Sequence, residues 1–350
     1  MRVTRRAVIV AVAWLLAGGA TGVAHRSTSQ AAPSADATTR IVASARAVLK
    51  ALDDAGRGKV QFPFEGPQKT RWSNLPSPMF QREGLRLRDL TAPQRAAVMN
   101  LLSTALSKSG YQKVTDIMRG DEVLRKEAEG RGRGGAGGGP AFGEDEYYLA
   151  FLGTPSATAP WMLQFGGHHL AINLTMAGSQ STMAPSLPAA QPATFTIEGR
   201  TVRPLGNEND KAFGLINALN DAQRKEAILT YRVADLVLGP GKDGRTIQPE
   251  GVRASSLAAG QQTMLMDLVR EWVGIATDAF AETRMAELRT NLPQTYFAWS
   301  GPTTNGSPAY FRIQGPTLVI EYAPQQGSVD HIHTIYRDPT NDYGAKFVKK

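Results

Sequence analysis

Apolar and polar positions alternate in short runs through two stretches of the chain. The first holds "EYYLAFLG", "WMLQFGG" and "HHLAINLTM" (146–176); the second holds "TYFAWSG", "AYFRIQG", "TLVIEYAP" and "HIHTIYR" (295–337). Gly, Pro, Ser and Thr separate the runs, which predicts two antiparallel meanders. Other stretches follow the helical period. "IVASARAVLKALD" predicts a helix, and "LTAPQRAAVMNLLSTALS" (90–107) predicts another with Thr91 as N-cap and Pro93 in its first turn. "NENDKAFGLINALNDAQRKEAIL" (207–229) reads as a helical pair. The stretch "FPFEGPQKTRWSNLPSPMF" predicts an ordered loop, and the glycine tract 130–140 a flexible surface insertion.

The pattern repeats. "LTAPQRAAVMNLL" aligns without gaps on "LAAGQQTMLMDLV" (257–269), and "YLAFLGTP" (148–155) aligns on "YFAWSGPT" (296–303). At the latter offset, "LQFGGHHLAINL" falls on "FRIQGPTLVIEY". An internal duplication is expected, with halves at about 41–200 and 201–350 in one α+β domain. Its antiparallel strands form one sheet or two facing sheets, with helices packed outside.

Arg2, Arg5 and Arg6 precede an apolar run from Ala7 to about Ala24, as in a signal peptide spanning 1–31. The Arg5–Arg6 pair also fits a twin-arginine leader, and the sequence does not separate the two export routes. Residues 32–40 read as a flexible linker. The expected mature protein is periplasmic or extracellular, with no stable membrane span. The formal charge of +8 falls to about +4 once Arg2, Arg5, Arg6 and Arg26 leave with the leader. The remaining basic residues are scattered, which argues against a nucleic-acid partner.

Cysteine is absent, so disulfides, thiolate zinc sites and iron–sulfur clusters are excluded. Of five histidines, His25 lies in the leader. The other four fall in two motifs, His168–His169 and His331-x-His333. Strand alternation puts His169 with Asn173 on a polar face and His168 with Leu170 on a packed one. His331 and His333 share a face, about 6–7 Å apart along the strand. Glu321 lies on the preceding strand. A 2-His-1-carboxylate set of His331, His333 and Glu321, with His169 as further ligand or acid/base, is the resulting metal candidate. Neutral imidazoles with a carboxylate suit zinc, iron, copper, nickel or manganese.

Asp338 is a candidate general base or partner of a histidine, and Arg337 a candidate anion clamp. Structural ion pairing is the alternative for both, and Asp342 reads as structural. Arg71 and Trp72, which stand beside Asn74 in "TRWSNLP", are candidates with Asn173 and His168 for contact with an unknown small-molecule substrate. A tryptophan plug over the core and a packed histidine are the alternatives for Trp72 and His168. No Walker loop, dinucleotide fingerprint or G-x-S-x-G elbow occurs, so neither a nucleotide cofactor nor a serine hydrolase is expected.

The motifs "RW..LP", "LTAPQRA", "GYQKV", "GGHHLAIN", "RPLGNE", "FRIQGPTLVIEY" and "HIHTIYRDPTNDYG" occur together and in order. This set, over roughly residues 40–350, resembles the bacterial family catalogued as domain of unknown function 3500. The resemblance implies that Gly167–Leu170, Asn173, Ile320–Tyr322 and His331–Asp338 are the family's motif positions; it implies no reaction. Two functions remain open at this stage. One is an exported metal-dependent enzyme, hydrolytic or using oxygen; the other is a non-catalytic periplasmic protein that binds a metal or small ligand.

Overall fold

The computed structural model describes residues 31–131 and 140–348. Residues 1–30 of the expected leader, with His25, and residues 132–139 of the glycine tract lie outside the described residues. Helix α1 (Ala31–Ala51) takes in residues 32–40, so the linker expectation is corrected. Ser34, Ala37, Thr38 and Ile41 recur at helical spacing and are all buried, and Thr38 Oγ1 donates to the carbonyl of Gly178 at 2.7 Å. A stripe built from Ala, Ser and Thr carries little hydrophobic signal, which is why it reads as a linker.

The chain continues through α2 (Asp54–Val60), β1 (Gln61–Phe62) and β2 (Leu85–Arg86) to α3 (Ala92–Ala105) and α4 (Lys108–Gly130). The N–H of Thr91 donates to the Gln94 side chain at the start of α3, and Ser107 Oγ accepts from Gly110 N at the start of α4. Strands β3 (Tyr148–Leu152), β4 (Trp161–Gly166), β5 (Leu170–Ala177), β6 (Gln180–Thr182) and β7 (Leu187–Ala190) follow. A separate hairpin, β8 (Phe195–Ile197) with β9 (Arg200–Val202), leads to α5 (Gly206–Ala218) and α6 (Asp221–Ala227). Then come β10 (Val252–Arg253), α7 (Ala259–Val273), α8 (Asp278–Asn291), β11 (Tyr296–Ser300), β12 (Tyr310–Gly315), β13 (Leu318–Pro324) and β14 (Ile332–Arg337).

Both meanders join one twelve-stranded sheet, ordered β1-β3-β4-β5-β7-β14-β13-β12-β11-β10, with β2 and β6 pairing off this path. The α+β class is as expected. All pairings are antiparallel except β1 with β3. The meanders meet where β7 pairs with β14, His333 opposite Ala189. Apart from β1, the succession α2, β2, α3, α4, β3, β4, β5 recurs as α6, β10, α7, α8, β11, β12, β13.

Strand alternation divides the core. Phe151, Leu163, Phe165, Ile172 and Leu174 pack against α1, α3 and α4, while Trp299, Phe311, Ile313 and Ile320 pack against α5, α7 and α8. The opposite face carries Ala150, Ala171, Ala189 and Ile335, packed against Trp72, Tyr343 and loop residues. Polar side chains of that face are also buried, because irregular segments cover them. Gln164 meets Gln68, Gln314 donates to the carbonyl of Ile247, and Glu321 meets Val237 and Leu238. Loop backbone groups lacking a ladder partner need such side chains. The expected polar cleft along Asn173 is therefore a covered interface. No helix among the described residues is long and apolar enough to cross a membrane.

Candidate metal centre

His168 and His169 lie in the bend between β4 and β5, so strand alternation does not separate them; their ring centroids are 3.7 Å apart. The bend requires Gly167, since a Cβ there would lie 2.9 Å from the ring of Tyr147. The carbonyl of His169 accepts from Ala189 N at 2.8 Å, and Ala189 stands opposite His333 in register. One small residue of β7 thus separates the two histidine-bearing segments. His331 immediately precedes β14 and is half-buried, whereas His169 and His333 are buried.

The three imidazoles converge through one type of atom. His169 Nε2 is 3.3 Å from His331 Nε2, which is 3.0 Å from His333 Nε2. Carboxylates hold the far sides of two rings. Asp121 Oδ1 is in short contact with His169 Nδ1, and Asp235 Oδ1 is 3.1 Å from His333 Nδ1. A carboxylate at Nδ1 favours the Nδ1–H tautomer and leaves the Nε2 lone pair free. Two lone pairs then point at the Nε2 of His331, which carries at most one proton to share. Protonation of His331 itself is disfavoured: burial, then His169 and His333, holds its pKa down at about 3.

A cation resolves the crowding of lone pairs. Nitrogens about 2.0–2.1 Å from a tetrahedral zinc ion stand about 3.3–3.4 Å from one another, close to the separations here. His169, His331 and His333 can hold a metal ion, each offering one atom within 4.8 Å of the others. Asp121, His168 and His169 form a second such group. Because Asp121 already contacts His169 Nδ1 and accepts from the Tyr147 hydroxyl at 2.7 Å, it serves best as the group that orients His169.

The other sequence candidates lie elsewhere. Glu321 is buried, but its carboxylate accepts from Val237 N (2.9 Å), Leu238 N (2.7 Å) and the Tyr310 hydroxyl (2.7 Å). It fastens the loop carrying Asp235 and stands outside the histidine cluster. Arg337 binds the carbonyls of Leu238 and Gly239 and pairs with Asp243 and Asp342. Asp338 accepts from Thr340 and pairs with Arg284 at 3.1 Å. Asn173 is enclosed between Gln164 and the carbonyl of Pro185. Trp72 is packed, its Nε1 donating to the Tyr343 hydroxyl at 2.7 Å, and Arg71 is exposed beside Glu83. Of that segment, Asn74 reaches the cluster, with Nδ2 3.3 Å from His333 Nδ1. His168 is buried between Phe142 and His169, and its Nδ1 has no hydrogen-bond partner. Burial, then the neighbouring histidines, pushes its pKa well down.

Sequence reading missed Asp121 and Asp235. Asp121 carried a usable signal, because Val114, Ile117 and Met118 define the buried stripe of α4 and Asp121 extends it by one turn. A carboxylate on a core stripe needs a buried partner. Asp235 sits in an irregular segment with no periodicity to expose it. No curated protein and no solved structure matches the chain. The family described as "Protein of unknown function (DUF3500)" matches residues 34–345, nearly the whole length, and the chain belongs to that family.

Proposed function

We propose that this protein is an exported metal-dependent enzyme whose ion is held by the Nε2 atoms of His169, His331 and His333. The observation that carries the proposal is the convergence of these atoms at 3.3 and 3.0 Å, with Asp121 and Asp235 behind two of the rings. Three neutral histidines leave at least one coordination position for water or substrate, the donor set of hydrolytic zinc sites. Held by these three side chains, an ion would supply an acidified water and polarise a carbonyl. Asp121 and Asp235 keep the imidazoles in the ligand tautomer. Asp235, its side chain 43% exposed, meets His333 at Nδ1, on the side of the ring away from the ion, so its part is to orient that ligand. Asn74 offers an amide N–H on the same side. Export rests on the Arg-rich, apolar leader.

The recurrence of elements supports an internal duplication in which the Asp121–His169 pair is found in the first half and its counterpart in the second carries no histidine. Asp121 and Asn291 occupy the same position counted from the starts of α4 and α8, and His169 and Thr317 each precede the strand that follows. Asn291 Nδ2 lies 3.4 Å from Thr317 Oγ1, so a polar contact exists there without ligand chemistry.

The test is elemental analysis of the purified mature protein under metal-replete conditions, alongside His331→Ala/His333→Ala and with hydrolysis of an activated ester as readout. The expected result is one equivalent of a first-row metal and metal-dependent turnover, both lost in the double variant. Absence of stoichiometric metal in the wild type overturns the proposal.

A further inference from the structure

Large apolar side chains exposed to solvent are few among the described residues: Leu75, Met79, Tyr231, Val237 and Val329. Four of the five lie on the three segments that bring Asn74, Asp235 and His331 to the cluster. Leu75 follows Asn74, Val237 lies two residues after Asp235, and Val329 lies two before His331. Hydrogen bonds tie these segments to one another and to the histidine bend. Arg82 donates to the carbonyls of Ser73, Leu75 and Gly167, and Gln326 N donates to the carbonyl of Ala234 at 3.1 Å. Asn74 and Asp235 both touch the ring of His333.

Single exposed leucines need no explanation, but Leu75, Met79, Val237 and Val329 each lie within five residues of Asn74, Asp235 or His331, whereas Tyr231 stands apart, its hydroxyl on Glu250 and its carbonyl on Ser300 of β11. The buried His169 and His333 leave His331, Asn74 and Asp235 as the approach to the ion from solvent, and the apolar residues stand on the segments forming that approach. Binding sites for organic ligands combine such apolar surface with a few placed polar groups. Resting on the metal-centre reading, the geometry points to a small amphiphilic substrate: a carbonyl- or oxyanion-type head meets the ion beside Asn74 and Asp235. Its apolar body, an alkyl chain or ring, lies across Leu75, Met79, Val237 and Val329.

The test uses cobalt-loaded full-length mature protein, with the visible cobalt bands reporting ligation, and a series of straight-chain hydroxamates from acetohydroxamate to octanohydroxamate. The wild type should bind longer chains more tightly, by about two- to fourfold per methylene, the upper figure corresponding to full burial. The rim variant Leu75→Ser/Val237→Ser/Val329→Ser, altered only at exposed positions, should keep one cobalt per chain and its acetohydroxamate affinity while losing the chain-length dependence. Equal affinity across the series in the wild type, an undiminished dependence in the rim variant, or a loaded protein that takes no hydroxamate each overturns the inference. Rim-dependent sedimentation with phosphatidylcholine vesicles, together with a flat hydroxamate series, assigns the rim to a membrane surface and also overturns it. Cobalt stoichiometry is read first, so failure of the metal centre itself, with no cobalt bound, is distinguished from failure of the rim.

Discussion

Replacing Asp121 with Asn removes a charge without changing the shape of the side chain, and so tests whether the carboxylate makes His169 a ligand. Asp121 is 1% exposed and contacts two groups that both present protons, His169 Nδ1–H and the Tyr147 hydroxyl. An asparagine satisfies only one of them as an acceptor. With its oxygen toward His169, the tautomer survives but the Tyr147 proton loses its acceptor and the imidazole loses the neighbouring negative charge. With its amide nitrogen toward His169, the ring is driven to the Nε2–H tautomer and the ligand lone pair disappears. Orienting groups of this kind are worth about 10–100-fold in metal affinity, or about 1.4–2.7 kcal/mol. The enclosed site puts Asp121→Asn near the upper end. Asp235→Asn should cost about tenfold or less, because its side chain is 43% exposed and water screens the lost charge. Competition with a chromophoric zinc chelator measures both, with denaturant midpoints of the apo proteins as the folding control. An Asp121→Asn protein within twofold of wild type, or a larger loss for Asp235→Asn, refutes the reasoning.

Ala189→Leu fills the position between His169 and His333 in register; it should abolish stoichiometric metal and lower apo stability by about 1–3 kcal/mol, read by elemental analysis and urea unfolding. Glu321→Gln puts an amide N–H against one of two backbone donors. It should cost about 2–4 kcal/mol in a denaturant titration, while the folded protein still binds one metal; lost metal with intact stability would reinstate Glu321 as a ligand. Zinc at about 100 times its dissociation constant should stabilise the wild type by about 2.7 kcal/mol, seen as a rise in Tm, and should leave His331→Ala/His333→Ala unmoved.

Local periodicity made much of the fold legible. The strands around Tyr148, Trp161, Tyr296, Tyr310 and Leu318 were readable because each carries a full run of alternating or apolar residues between turn signals. Residues 32–40 were not, because a helix buried through Ser, Ala and Thr has almost no hydrophobic contrast. Within the site, His169, His331 and His333 could be singled out because histidine is scarce and cysteine is absent. Their orienting carboxylates come from α4 and from the 230–250 segment, which only tertiary packing brings to the sheet. Glu321 illustrates the opposite failure. Strand adjacency placed it near His333, but two loop N–H groups recruited its carboxylate, and sequence gives no account of backbone donors on a distant irregular segment. Arg337 and Asp338 likewise spend their hydrogen bonds on Leu238, Gly239, Asp342, Thr340 and Arg284.

X-ray absorption at the zinc edge of the loaded protein reads the three-histidine site itself. The expected shell is one ion per chain with three imidazole nitrogens at about 2.0–2.1 Å and one or more further oxygen ligands. A shell with fewer than three imidazoles, or no stoichiometric ion at all, would contradict it.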